Sequence, residues 1–215
     1  MAVKSFLIIG MGSFGTHLCK ALAKRKCDIM IADSDEDCVE KMLPYVTSAK
    51  IGNCCDEQVL RSFDIPSFDA CFVCMGNNFQ NSLQITNLLK ELGAKKVYSK
   101  AEEDIQAKFL LNNGADKIIY SEKEIAEKIA LVESSSNVFD RIELSSGYDL
   151  IEMRCPAKWV GKSIMQLNIR FNYHLNVIAL RTEEKFVPLI SPDYVFAKDD
   201  HIIVLGSSEN VEKLG

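Results

Sequence analysis

Short apolar runs recur through the first 120 residues, and each is followed by a stretch whose apolar positions fall three and four apart. Lys4–Ile9 reads as a buried strand, and Ser13–Lys26 carries Phe14, Leu18, Ala21 and Leu22 at helical spacing. The alternation continues with strand Ile29–Asp33, helix Asp35–Leu43, strand Thr47–Ile51, helix Asp56–Phe63 and strand Ala70–Met75. A long helix, Asn77–Leu92, is stopped by Gly93, and strand Lys96–Lys100, helix Glu103–Asn112 and strand Lys117–Tyr120 complete the run. Strands separated by helices in this way predict a doubly wound parallel sheet with right-handed crossovers and helices on both faces.

The pattern then changes. Ser121–Ser135 places Ile125, Ala126, Ile129, Ala130 and Val132 on one side of a helix, and Ser134-Ser135-Ser136-Asn137 breaks the periodicity. Beyond Asp140 come short strands with turns, at Arg141–Leu144, Asp149–Cys155, His174–Arg181 and His201–Leu205, with helices expected at Ser163–Arg170 and Ser207–Lys213. A boundary near 134–139 is therefore expected. It divides an α/β domain at residues 1–135 from a small α+β module at 140–215.

Length and composition narrow the function. The 215 residues, 47% hydrophobic and 26% charged, suffice for one full domain and a smaller one. No apolar run reaches the roughly 18 residues of a membrane span, and the N-terminus lacks a signal-peptide pattern, so a cytoplasmic protein is expected. A net charge of −5 without a block of basic residues argues against nucleic acid as a partner. Lys24-Arg25-Lys26 is the densest basic patch, and its position suits cations at a helix C-terminus.

Gly10-Met11-Gly12-Ser13-Phe14-Gly15 matches G-x-G-x-x-G between a predicted strand and a predicted helix. In that context the first glycine permits the tight turn, the second lets the backbone approach a pyrophosphate, and the third allows close helix–strand packing. Asp33, 23 residues after Gly10 at the end of the second strand, is placed to accept hydrogen bonds from ribose hydroxyls. A carboxylate there, with no Arg just after it, disfavours a 2′-phosphate. Ligands of such sheets lie outside the carboxyl ends of the strands, which adds Asn53 and Cys54, Gly76 and Asn77, and Lys100. The fold is Rossmann-like.

Other motifs carry less. Cys71-Phe72-Val73-Cys74 is formally C-x-x-C, but in a strand its two thiols face opposite ways. The remaining cysteines and the three histidines show no zinc spacing, so all eight cysteines are expected as thiols in a reducing compartment. Gly161-Lys162-Ser163 lacks the first glycine of a P-loop, since Pro156 stands there. Asp199-Asp200 before His201 reads as a solvated turn.

The fingerprint, Asp33, Gly76-Asn77, the segment Asn112-Asn113-Gly114-Ala115-Asp116 and the Gly161-Lys162-Ser163 module occur together in an order that resembles KtrA/TrkA-type RCK proteins. The resemblance covers both predicted domains and implies a regulatory subunit of a bacterial potassium uptake system. It further implies a homo-oligomer, dimers assembling to an octameric ring, docked at the inner face of the cell membrane on a potassium-translocating subunit of KtrB/TrkH type. The 121–135 helix corresponds to the family's crossover helix, which packs on a neighbouring subunit.

The family's ligands are ATP and ADP in KtrA-like members and NAD or NADH in TrkA-like ones. By similarity, Gly10, Gly12, Ser13, Phe14 and Gly15 would cradle phosphates, and Asp33, Ser34 and Asp35 would hold ribose. Asn53 and Cys54 would line adenine, and Lys100 would face phosphate near Gly76 and Asn77. Glu122 would help bind a divalent cation, magnesium or calcium, with the nucleotide. KtrA-like sequences usually carry Arg where this chain has Ser13, which removes a bidentate partner for a γ-phosphate. Relatives that bind cyclic di-AMP do so with an Ile-Arg pair and a Pro, and Ile169, Arg170 and Pro192 stand at similar positions. The contrasting function, an NAD-dependent oxidoreductase, would use the same fingerprint but needs a placed acid or base that the short second domain does not offer. No catalysis is expected, and the basic helix-turn-helix that a redox-sensing repressor needs is not visible in the sequence.

Overall fold

The computed structural model describes residues 3–76, 78–134, 137–145, 147–182 and 185–214. They form two compact units, Met1–Glu124 and Ile125–Gly215. In the first, β1 (Ser5–Ile9), α1 (Ser13–Ala23), β2 (Asp28–Asp33), α2 (Glu36–Glu40), β3 (Ser48–Ile51) and α3 (Glu57–Arg61) are followed by β4 (Ala70–Val73), α4 (Phe79–Glu91), β5 (Val97–Lys100), α5 (Asp104–Asn112), β6 (Lys117–Ile119) and the start of α6 (Ser121–Ser134). The six strands are parallel in the order β3-β2-β1-β4-β5-β6. The order reverses between β1 and β4, and that crevice is where doubly wound sheets bind ligands.

Alternation along each strand builds the two faces. Leu7, Ile9, Cys71 and Val73 point into one core with Leu60, Ile85 and Leu89, whereas Ile8 joins Cys19, Ile29, Ile31 and Cys74 on the other. Cys71 and Cys74 thus lie in different cores, as the strand period requires. All eight cysteines are free thiols.

Several boundaries differ from the sequence reading for local reasons. Asp35 caps α2 by accepting the Cys38 N–H (3.2 Å), and the helix stops at Glu40 because Pro44 enters a 3-10 turn, Leu43–Tyr45. The division between units falls inside α6, upstream of the break expected at 134–139. That helix ties to both sides, Lys123 to Asp104 (2.8 Å) and Lys128 to Asp140 (2.8 Å). None of its residues is buried, and Ile125 and Ile129 are well exposed. Ser135 and Ser136 lie outside the described residues.

The second unit is a five-stranded antiparallel sheet, ordered β10-β9-β11-β8-β7. It comprises β7 (Val138–Ser145), β8 (Tyr148–Arg154), α7 (Ile164–Leu167), α8 (Ile169–Asn172), β9 (Asn176–Arg181), β10 (Phe186–Val187), β11 (His201–Ser207) and α9 (Ser208–Glu212). Its core gathers Ile151, Met153, Trp159, Leu180, Phe196, Ile202 and Val204. The helix expected at Ser163–Arg170 is two pieces, because Asn168 adopts a left-handed conformation (φ 42°) that ends α7. His174 is likewise left-handed (φ 54°), so β9 begins at Asn176 rather than at His174. Ser163 spends its hydroxyl on a capping box with Gln166, a structural use of the P-loop-like triplet.

Asp200 corrects the solvated-turn reading. It is a turn residue, but it is only 3% exposed, and its carboxylate accepts hydrogen bonds from the Tyr194 hydroxyl (3.0 and 3.1 Å) and the Ala197 N–H (2.7 Å). Burial, then Asp200, pushes the Tyr194 hydroxyl up to about 12.

Candidate nucleotide site

The glycine-rich loop leaves β1 at Gly10, whose φ of +92° demands glycine; a Cβ there would also stand 2.9 Å from Met75 Cγ. Gly15 is buried in the first turn of α1, where any Cβ would collide with the Gly10 carbonyl oxygen. Gly12 differs from both. Its backbone is extended and nothing lies within 4 Å of where its Cβ would be, so the space above it is open.

Gly12 also brings no capping side chain to α1, and the first intrahelical bond runs from Thr16 N–H to Gly12 O (3.0 Å). The amides of Ser13, Phe14 and Gly15 therefore point out of the helix end. No acidic residue occupies that first turn. An uncapped helix N-terminus facing open space is suited to an anion. Ser13 is exposed there, while Phe14 turns half-buried into the core beside Ile8 and Ile29.

Asp33 closes one side of this space. Its Oδ2 accepts the Met11 N–H (2.5 Å) and its Oδ1 the Asp35 N–H (2.9 Å), so two backbone donors fix the carboxylate at the tip of β2. Asp35 and Ser34 are exposed beside it. Met11 was not singled out by the motif, where it is only an x; its amide is nevertheless what orients Asp33.

The far side holds a charged cluster at the ends of β4 and β5. Lys100 Nζ lies 2.8 Å from Glu122 Oε1 and 3.9 Å from Glu102 Oε1, and a Cβ on Gly76 would run into Glu102. Lys100's ammonium, then the Ser121 hydroxyl, holds the Glu122 carboxyl below the usual carboxylate range. Gly76, Lys100 and Glu122 are thus brought together. Glu102 joins them unforeseen, because a single acid after a strand has no periodicity to reveal it. Asn77 lies outside the described residues. Among those described, no group of three or more His, Cys, Asp or Glu side chains gathers as a metal centre would need.

Two expected residues stand differently. Asn53 is exposed and accepts the Cys55 N–H (3.0 Å), but Cys54 is 4% exposed and packs with Leu60 and Phe63 in the core. Burial pushes its thiol up to about 12. In the second unit, Arg170 is exposed, whereas the Ile169 side chain is buried in the core and the Pro192 carbonyl accepts the Met165 N–H (2.9 Å).

Together these features define a nucleotide-binding domain of the doubly wound class followed by a small antiparallel module. Residues 6–121 match the TrkA-N domain and residues 150–215 the TrkA-C domain, and the chain belongs to the family that joins the two. It is 34% identical to Ktr system potassium uptake protein C of Bacillus subtilis over 98% of this chain and 95% of that protein. It is 32% identical to Ktr system potassium uptake protein A of the same organism over the same shares. Among solved structures, the GsuK channel superposes with a TM-score of 0.71 at 14% identity over 98% of this chain, and the GsuK channel bound to NAD with 0.69 at 14% over 99%. The chain spans 38% and 39% of those channel chains, so they establish the shared fold. Among the described residues no helix is long and apolar enough to cross a membrane.

Proposed function

We propose that this chain is a cytoplasmic, nucleotide-sensing regulatory subunit of a potassium uptake system, which changes the activity of a membrane-embedded potassium-translocating partner according to the nucleotide it holds. One observation carries the reading: an uncapped helix N-terminus opens on free space above Gly12, flanked by a braced Asp33, in a chain akin over its whole length to two Ktr potassium uptake proteins. Sensing needs only different affinities of two nucleotides for two arrangements of an assembly, and no catalytic step.

The ligand is an adenine nucleotide whose phosphates meet the amides of 13–15 and whose ribose meets Asp33. ATP and ADP, or NAD and NADH, satisfy that description. Ser13 in place of an arginine favours a ligand without a terminal γ-phosphate to clamp, and NAD is the molecule carried by the GsuK channel of the same fold. Lys100 would meet phosphate only after leaving Glu122. A magnesium or calcium ion would use the Glu122 carboxylate so released, together with oxygens of the nucleotide. Cys54 contributes backbone rather than its buried side chain to an adenine slot.

The exposed apolar stripe of α6 suits a homodimer contact, and dimers closing into an octameric ring would put the subunits under the translocating partner. For cyclic di-AMP, Arg170 is the accessible member of the suggested set, and Ile169 supports it from the core. The test is a thermal-shift and calorimetric titration with ATP, ADP, NAD, NADH and cyclic di-AMP, with and without magnesium. Saturable binding of one adenine nucleotide that Gly12→Asp abolishes is expected; silence from all of them would refute the reading.

A further inference from the structure

The second unit holds a cavity of about 650 Å³ that none of the roles above uses. Arg154, Lys158 and Lys198 line it, with Pro156, Val160 and Leu214 among the apolar walls and, among the described residues, no carboxylate in its lining. The three cations come from separate places: the last residue of β8, the turn that follows it, and the turn before β11. Strand pairing of Arg154 with His201 brings the first and last together.

Three positive charges around one hollow repel each other, and in a chain of net charge −5 their company is not an effect of composition. None of the three has a carboxylate partner among the described residues; Lys158 Nζ instead lies 5.3 Å over the Tyr173 ring. Of the two acids that follow Lys198 in the turn, Asp200 is held by Tyr194 and Ala197, and exposed Asp199 is not in the cavity's lining. An anion from outside the chain would balance them. A volume in the range of small-molecule pockets, with apolar walls beneath a cationic rim, suits an anion with an organic body better than a bare ion.

We infer that this cavity is a second ligand site, distinct from the nucleotide site, which binds a small organic phosphate: the dianionic phosphate among Arg154, Lys158 and Lys198, the apolar body against Pro156, Val160 and Leu214. The chain's single tryptophan reports on it, since Trp159 sits between Lys158 and Val160 in the same turn while the nucleotide domain has none.

The probe is phenyl phosphate, titrated into the full chain at fixed ionic strength and followed by Trp159 emission and by calorimetry, with inorganic phosphate and phenol as separate arms. Saturable binding is expected, at least tenfold weaker in the Arg154→Gln, Lys158→Gln, Lys198→Gln triple variant and unchanged in Gly12→Asp. All three substituted side chains are exposed, and circular dichroism verifies that the variant folds. Should Trp159 stay silent, the calorimetric affinities decide by the same tenfold criterion. Absence of binding, or equal affinity in the triple variant, overturns the site. Inorganic phosphate binding as tightly as phenyl phosphate overturns the organic body.

Discussion

The three glycines of the fingerprint are expected to separate by experiment into structural and functional ones. Replacing Gly15 by Ala places a methyl group on the Gly10 carbonyl oxygen inside a buried turn. A helix interior favours Ala over Gly by about 0.5–1 kcal/mol, whereas forcing extra volume into packed backbone costs about 1–3 kcal/mol or more. Because the obstacle is backbone and cannot rotate aside, the clash wins. A net loss of about 2 kcal/mol corresponds to a fall of about 6 °C in Tm for a domain of this size. Gly12→Ala meets nothing within 4 Å and sits at φ −64°, which Ala adopts freely. Its loss as a helix cap and its gain from a stiffer unfolded chain are each about 0.5–1 kcal/mol and cancel, so Tm moves by less than about 2 °C. The methyl group instead occupies the approach of the pyrophosphate and lowers nucleotide affinity about tenfold, or about 1.4 kcal/mol. Thermal denaturation by circular dichroism and calorimetric titration on both variants read the two effects. Wild-type affinity in Gly12→Ala would refute passage of the phosphates over this helix end, and an unchanged Tm in Gly15→Ala would refute the loop packing.

Further expectations concern charge. Glu122→Gln frees Lys100 and should strengthen nucleotide binding severalfold in EDTA, yet weaken it in magnesium if the carboxylate serves a cation; calorimetry under both conditions separates the two. Burial pushes the Asp116 carboxyl up, but the Lys90 ammonium (2.9 Å) and the Val97 N–H (2.7 Å) outweigh it and hold the group below the usual carboxylate range. Its contribution to stability is therefore present above about pH 4 and lost as pH falls through the lowered folded value. Urea unfolding of Asp116→Asn should accordingly differ from wild type at pH 6, and the difference should shrink as pH falls below about 4. Tyr194→Phe removes one donor from buried Asp200 and should cost about 1–2 kcal/mol in the same assay; no loss would mean that the carboxylate finds water instead.

The first unit was legible because its signals are periodic and redundant. Strand, glycine loop, helix and Asp33 each predict the others, and β1 to β6 fall within a few residues of the expected spans. What escaped is local. Asn168 and His174 take left-handed backbones that carry no spacing signal, and they split one expected helix and shorten one strand. Cys54 and Ile169 were assigned by position along the chain, but position does not report whether a side chain faces solvent or core. Asp200 looked like any acidic turn residue until its partners, Tyr194 and Ala197, were seen to enclose it. Glu102 was missed because its role depends on Gly76 and Lys100, and only the fold brings those residues together.

The most direct test of the central claim is potassium uptake in cells whose own uptake systems are deleted, expressing a Ktr-type membrane subunit alone, with this chain, or with its Gly12→Asp variant. The chain should change uptake through the partner, and the folded Gly12→Asp variant should not. Equal uptake with and without the chain would contradict a regulatory role, and a fully effective Gly12→Asp would contradict regulation through the nucleotide site.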